Sequence, residues 1–300
     1  MKKETQGMLA GFAGVVIFAL TLPATRYAIM YLDPMFVGLG RSVIAALVAG
    51  ALLWVFNVPV PTKNQFVQLG IVALGVVVGF PFFSTMAMKT LTAVHGGVVA
   101  GVLPMATAIA GVLLTRERPS LGFWLTGIAG GLAVVYFAYP EGFQTLLVGD
   151  IFLASAIISA ALGYALGGRL STEMGGWQVI CWALVLAFPL LLVPAGMQLP
   201  STTQHIPVMA WLCFVYLALG SQLLGFVFWY KGLVLGGIVR VSQIQLLQPF
   251  ITLMAAALLL GEKLDARTIF FALLVMALVA VGRRMQIRNI PLPATNNRSL

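Results

Sequence analysis

Apolar residues run along this chain in blocks of about twenty, each closed by a short polar or turn-forming stretch. The blocks predict helices over Gly7–Tyr31, Met35–Phe56, Gln65–Met88, Leu91–Leu114, Ser120–Ala138, Leu147–Leu170, Gly176–Ala195, Ile206–Leu233, Val239–Leu260 and Asp265–Arg283. At 1.5 Å per residue such blocks cover the ~30 Å hydrocarbon core of a bilayer, whereas the roughly ten-residue alternation of a membrane barrel is missing. Several breaks carry turn chemistry: Asp33-Pro34, Asn57-Val58-Pro59-Val60-Pro61, Tyr139-Pro140-Glu141-Gly142 and Gly236-Gly237. Lys89-Thr90 is only a brief polar interruption, and the cut there rests equally on an internal repeat.

That repeat lays residues 73–120 over residues 218–265 without a gap, at a constant offset of 145. Eleven of the 48 positions are identical, among them Pro104 with Pro249, Thr107 with Thr252 and Glu117 with Glu262. The offset is almost half of the 300 residues, so the chain is read as two copies of one unit, 7–138 and 147–283, with a basic tail over 284–300. Five helices per copy is an odd number, so the second copy enters the membrane from the side opposite the first. The fold class that follows is an all-α integral membrane protein of ten transmembrane helices arranged as two inverted five-helix repeats.

Composition agrees, with 61% hydrophobic and 8% charged residues, far below the roughly 25% charge of a soluble domain. Of the cations, twelve fall on the side of both termini: Lys2, Lys3, Lys63, Arg116, Arg118, Arg169, Lys231, Arg240, Arg283, Arg284, Arg288 and Arg298. Four fall opposite, namely Arg26, Lys89, Lys263 and Arg267, which puts both termini in the cytoplasm. The net charge of +9 is accounted for by orientation and by anionic lipid headgroups, so membrane lipids are expected partners and nucleic acid is not. Lys2-Lys3 before an apolar run imitates a secretory signal, but the run continues through Pro23 to Met30 with no convincing cleavage site. Cys181 and Cys213 both lie inside spans and predict no disulfide framework.

The ten helices, the prolines of helices 4 and 9, the stretch from Pro104 to Glu117 followed by Gly127 and Gly131, its counterpart from Pro249 to Gly261-Glu262, and Leu39-Gly40-Arg41-Ser42 in helix 2 carry a resemblance. Over residues 7–285 the chain resembles the drug/metabolite transporter superfamily, specifically its EamA-type members. The resemblance implies a carrier related to bacterial exporters of amino acids and other metabolites. The chain departs from the pattern at Arg116, where a glycine is usual, at Ala272, which matches Gly127, and in lacking a tryptophan in helix 1.

Pro104 and Pro249 sit within spans, where each removes a backbone hydrogen bond; a hinge or cavity wall and simple packing are both open readings. Glu117 and Glu262 stand at helix ends beside cations, as gate charges or as solvated turns. Three residues on, Ser120 and Asp265 are equivalent N-caps. The spacings Gly7/Gly11, Gly75/Gly79, Gly97/Gly101, Gly127/Gly131 and Gly163/Gly167 are read as close helix packing. On helix 9, Ser242, Gln245, Gln248 and Thr252 share a face, and on helix 8 Gln222, Gly225, Phe226 and Trp229 do. Such residues point away from lipid, either to line a substrate cavity or to bond between helices.

The two copies are chemically unequal, because Val77, Ala100 and Leu103 oppose Gln222, Gln245 and Gln248. The expected substrate site therefore takes most of its polar contacts from the second copy: Gln222, Gln245 and Gln248 for hydrogen bonds and Trp229 for apolar cover. The first copy adds Ser84, Thr85 and Arg41. Arg41, the one cation well inside a span, is a candidate partner for a substrate carboxylate, or else snorkels or bonds helix carbonyls. His95 and Arg240, equivalent at the starts of helices 4 and 9, are given interface roles.

All eight acids lie in loops or at span ends, so no buried carboxylate is offered as a proton relay. Neither a phosphate-binding GxxxxGK[ST] loop nor a catalytic metal cluster is found, and no cofactor is expected. The reading is a secondary transporter, not an enzyme, that moves a small-molecule substrate such as an amino acid outward by rocking its copies. The alternatives are a nucleotide-sugar or drug carrier of the same superfamily and, from another class, an intramembrane lipid-modifying enzyme, for which an acid/base pair at depth is missing.

Overall fold

In a computed structural model, residues 3–115, 118–138, 148–200, 206–236, 241, 244–284 and 287–288 are described. Lys2, Arg116, Glu117, residues 139–147, Gly237, Arg240, Ser242 and Arg298, all used in the sequence analysis, lie outside them. Among the described residues, seven helices are long and apolar enough to cross a membrane: α1 (Thr5–Ala28), α2 (Phe36–Val55), α3 (Lys63–Ala87), α4 (Ala93–Gly111), α6 (Val148–Met174), α7 (Gly176–Gly196) and α8 (Val208–Leu235). Three shorter apolar helices, α5 (Trp124–Phe137), α9 (Gln245–Leu260) and α10 (Ala266–Gly282), complete the set of ten.

Local chemistry fixes the helix ends. The Asp33 carboxylate accepts from the amides of Met35 and Phe36 and starts α2. Thr62 and Gln65 form a reciprocal capping box at α3, and Thr92 accepts from the His95 amide at α4. Asp265 caps α10 by accepting from the Thr268 amide at 2.7 Å, and hydrogen bonds from the Thr268 side chain first and its amide second hold the Asp265 carboxyl below the usual range. Gly261, at φ +66°, ends α9 in the left-handed conformation that glycine adopts at least cost.

The two-fold relation is visible in both packing and backbone. The α1–α8 contact is mirrored by α6–α3 and the α4–α6 contact by α9–α1, while α2–α7, α4–α9 and α5–α10 pair across the axis. Small residues permit this closeness. A Cβ at Gly75 would stand 2.6 Å from the Ser159 carbonyl oxygen on α6, and one at Gly232 would stand 2.7 Å from the Gly11 amide on α1. The irregular turns repeat as well. A 3-10 turn at Ala100–Val102 within α4 recurs at Gln245–Leu247 in the first turn of α9, at the offset of 145, two residues before Pro104 and Pro249. A π-helical stretch at Ala73–Gly79 recurs at Tyr216–Leu224.

Proline deprives the carbonyl four residues earlier of its amide, and neighbouring helices supply the missing donor. Pro23 leaves the Ala19 carbonyl free, and Thr252 Oγ1 of α9 donates to it at 2.8 Å. Pro81 stands four residues after Val77, whose carbonyl accepts from Ser42 Oγ of α2 at 2.8 Å. These hydroxyls tie α1 to α9 and α2 to α3.

End-to-end contacts respect the alternation of ten crossings. The turn after α9 meets the start of α4, and the start of α4 meets the start of α6. On the other face, Arg118-Pro119 pairs antiparallel with Ile287-Arg288, placing the segment after α10 beside the α4–α5 turn.

Candidate functional site

Where α4 crosses α9, equivalent residues of the two repeats enclose one cavity. Ala100 and Gln245, Leu103 and Gln248, and Pro104 and Pro249 all line it, with Phe18 and Thr21 of α1 and Phe80 of α3 closing its sides. Gln248 lies twelve residues, or about 18 Å, from the Leu260 end of α9, near the middle of a bilayer.

The second repeat supplies most of the polar lining, with Gln245, Gln248 and Thr252 against Thr21 of the first. Gln245 is 2% exposed and its Nε2 has no hydrogen-bond partner; the buried Oε1 of Gln248 has none either. An unsatisfied buried amide costs about 1–3 kcal/mol, and among the described residues neither group has a partner to offset that cost. The cavity volume is about 20 Å³, enough for a water. Ligand pockets run to about 300–1,000 Å³, so the chain is closed around this site.

The other expected site residues lie outside that lining. Gln222 donates from Nε2 to the Val76 carbonyl of α3 at 2.8 Å, within the π-helical stretch. Ser84 and Thr85 both return their hydroxyls to the Pro81 carbonyl of their own helix. Trp229 is 3% exposed, its ring 6.3 Å from Tyr164 and its backbone against Gly14, and its Nε1 is buried without a partner. Arg41 is fully buried, and Nε, Nη1 and Nη2 all lack partners. The structure thus brings Gln245, Gln248, Pro104 and Pro249 together and separates them from Arg41, Ser84, Gln222 and Trp229.

Thr21 and Phe18 of α1 were not singled out by sequence. Thr21 was signalled only by being a hydroxyl inside an apolar run; it exchanges a 2.8 Å hydrogen bond with Ser221 of α8.

One face is held shut by polar ties. Both carboxylate oxygens of Glu262 accept from the first amides of α4, Ala93 at 2.9 Å and Val94 at 2.7 Å, so this acid is a helix cap in trans and not a solvated turn. His95 Nε2 meets Asp150 Oδ1 of α6 at 2.8 Å. Arg26 donates to the carbonyls of Met88 and Lys89, and Arg267 to those of Tyr136 and Phe137 at 3.2 and 3.1 Å. A cleft of about 460 Å³ opens beside these ties, lined by His95, Glu262, Lys263 and Arg267 among others. Among the described residues no cluster of His, Cys, Asp and Glu is arranged to hold a metal ion.

Paired five-helix repeats closing on a cavity built from their equivalent residues define a membrane transporter of the drug/metabolite class. The chain belongs to the EamA-like transporter family, whose profile matches residues 5–139 and again 147–281. It is 44% identical over 284 residues, 95% of this chain and 99% of the relative, to the uncharacterized transporter YdeK of Bacillus subtilis (strain 168). It is 24% identical to the uncharacterized transporter YyaM of the same organism, over 90% of each chain. Protein PecM of Dickeya dadantii (strain 3937) is 22% identical, over 90% of this chain and 95% of that protein. A crystal structure 16% identical in sequence matches with a TM-score of 0.64, covering 93% of this chain and 96% of its own, a likeness of fold alone.

Proposed function

We propose that the chain is a secondary transporter that exports small polar metabolites, amino acids among them, across the bacterial inner membrane, with both termini in the cytoplasm. The observation that carries this reading is the cavity at the α4–α9 crossing, lined by residues that the duplication makes equivalent. Rocking one repeat against the other about such a site opens it to each face in turn. The 3-10 turns before Pro104 and Pro249 are the hinges, because there the backbone lacks a full helical ladder. Gln245 and Gln248 are the substrate's hydrogen-bond partners. The ties of Glu262, His95, Arg26 and Arg267 close the outer gate and break when α4 tilts.

No described carboxylate lies at the depth of the cavity, so transport runs down the substrate gradient without an imposed proton gradient. The test begins with the metabolites that change between cells lacking and cells overproducing the protein. Liposomes holding the purified protein then exchange the metabolite that responds. Exchange at equal internal and external pH is expected; strict dependence on a pH gradient contradicts the mechanism.

A further inference from the structure

Arg41 is the charge that neither the cavity nor the gate uses. Its guanidinium is at 0% exposure, and all three of its nitrogens are without partners. A guanidinium carries its charge at neutral pH, and a buried charge without a counter-charge is among the costliest arrangements a protein can hold. The elements packed on α2 offer none. The α7 helix, the π-helical stretch of α8 at Tyr216–Leu224 and the Phe80–Ala87 portion of α3 contain no Asp, Glu, His or Lys. Asp33, the acid nearest in sequence, is occupied at the start of α2.

Irregular helical turns surround Arg41. It directly follows the π-helical stretch Phe36–Gly40, and its helix packs on the π-helical stretch of α8. Ser42, its neighbour, bonds to Val77 in the third such stretch. Wide turns of this kind concentrate at functional sites because their backbone can shift register locally. Another buried group without a partner is the hydroxyl of Thr25 on α1. Val37, one turn before Arg41, packs in the same cluster as Ala24 and Ala28, which bracket Thr25. Thr21, one turn before Thr25, lines the central cavity. Thr21 and Thr25 thus set two hydroxyls one turn apart on α1, the first in the cavity lining and the second between two residues of the cluster that holds Val37 of α2.

We infer that Arg41 is an anion subsite: the transported molecule carries a carboxylate that pairs with this guanidinium when α2 and α8 part during the cycle. This deepens the transport reading and rests on it. The anion supplies the counter-charge that the chain lacks, and a two-oxygen group matches the paired donors of the guanidinium.

The test uses the purified full-length chain and matched probes: L-leucine with L-leucinamide, L-phenylalanine with L-phenylalaninamide, and succinate with succinamide. Thermal unfolding is followed against probe concentration for the wild type, Arg41→Gln and Arg41→Lys. At least one carboxylate is expected to stabilise the wild type tenfold or more tighter than its amide. Arg41→Gln should lose that preference, and Arg41→Lys, which keeps the charge but not the fork, should retain part of it. The inference is overturned if no acid is preferred to its amide, if Arg41→Gln binds the acid as tightly as the wild type, or if chloride alone reproduces the stabilisation. Liposomes that exchange a metabolite without preferring acid to amide would remove the anion subsite and leave the transporter. Liposomes that exchange nothing would remove the transporter reading itself.

Discussion

At the scale of residues, the orphaned amide of Gln245 separates a binding role from a structural one. If the amide waits for substrate, replacing it by an apolar chain of similar volume relieves an unsatisfied group worth about 1–3 kcal/mol. Gln245→Met is therefore expected to unfold at the same or a higher temperature than the wild type while its exchange rate in liposomes falls at least tenfold. A lower unfolding temperature with intact exchange would make Gln245 a helix-bonding residue instead. Leu258→Ala is the control: Leu258 is 81% exposed on the lipid side of α9, and exchange should stay within about twofold of the wild type. The polar face of α9 was legible at Gln245, Gln248 and Thr252 because polar side chains at three- and four-residue steps cannot all face lipid. The partner of Gln222 was not, since a backbone carbonyl in a π-helical stretch leaves no mark on a hydrophobicity pattern. The same holds for Thr252, whose bond to Ala19 depends on Pro23 of a helix more than two hundred residues away in sequence.

At the scale of elements, the first turn of α4 is the piece on which the closed face depends. Its Ala93 and Val94 amides are protected only while Glu262 reaches across from the turn after α9. Hydrogen bonds to a charged group contribute about 1.5–3 kcal/mol, and 1.4 kcal/mol is a factor of ten. In Glu262→Ala, hydrogen exchange in a peptide covering residues 92–97 is expected to quicken about tenfold or more, while a peptide in α6 remains protected. Unchanged exchange at α4 would show that the carboxylate is incidental to closure. The helices themselves were legible nearly to their ends, because a bilayer demands about twenty apolar residues per crossing. The 3-10 turns were foreshadowed only by the two prolines, and the π-helical stretches by nothing, since both arise from how helices lean on one another.

At the scale of the whole molecule, the duplication was the most legible property: the offset of 145 shows two copies, and the odd number of helices in each makes the pair inverted. The closing of the chain about its axis was not, because pattern says which residues avoid lipid and not which of them meet. Orientation is tested by reporter fusions, expected cytoplasmic after Arg284 and external between Tyr139 and Gln144. The central claim is that the α4–α9 cavity opens to each face in turn. Ala100→Cys puts a thiol into its lining, while the native Cys181 and Cys213 are buried and give little background. Labelling by a membrane-impermeant maleimide is then followed in right-side-out and inside-out vesicles. The account predicts that Cys at this position reacts from both faces and that the transported metabolite slows both reactions. Reaction from one face alone, or from neither, would contradict it.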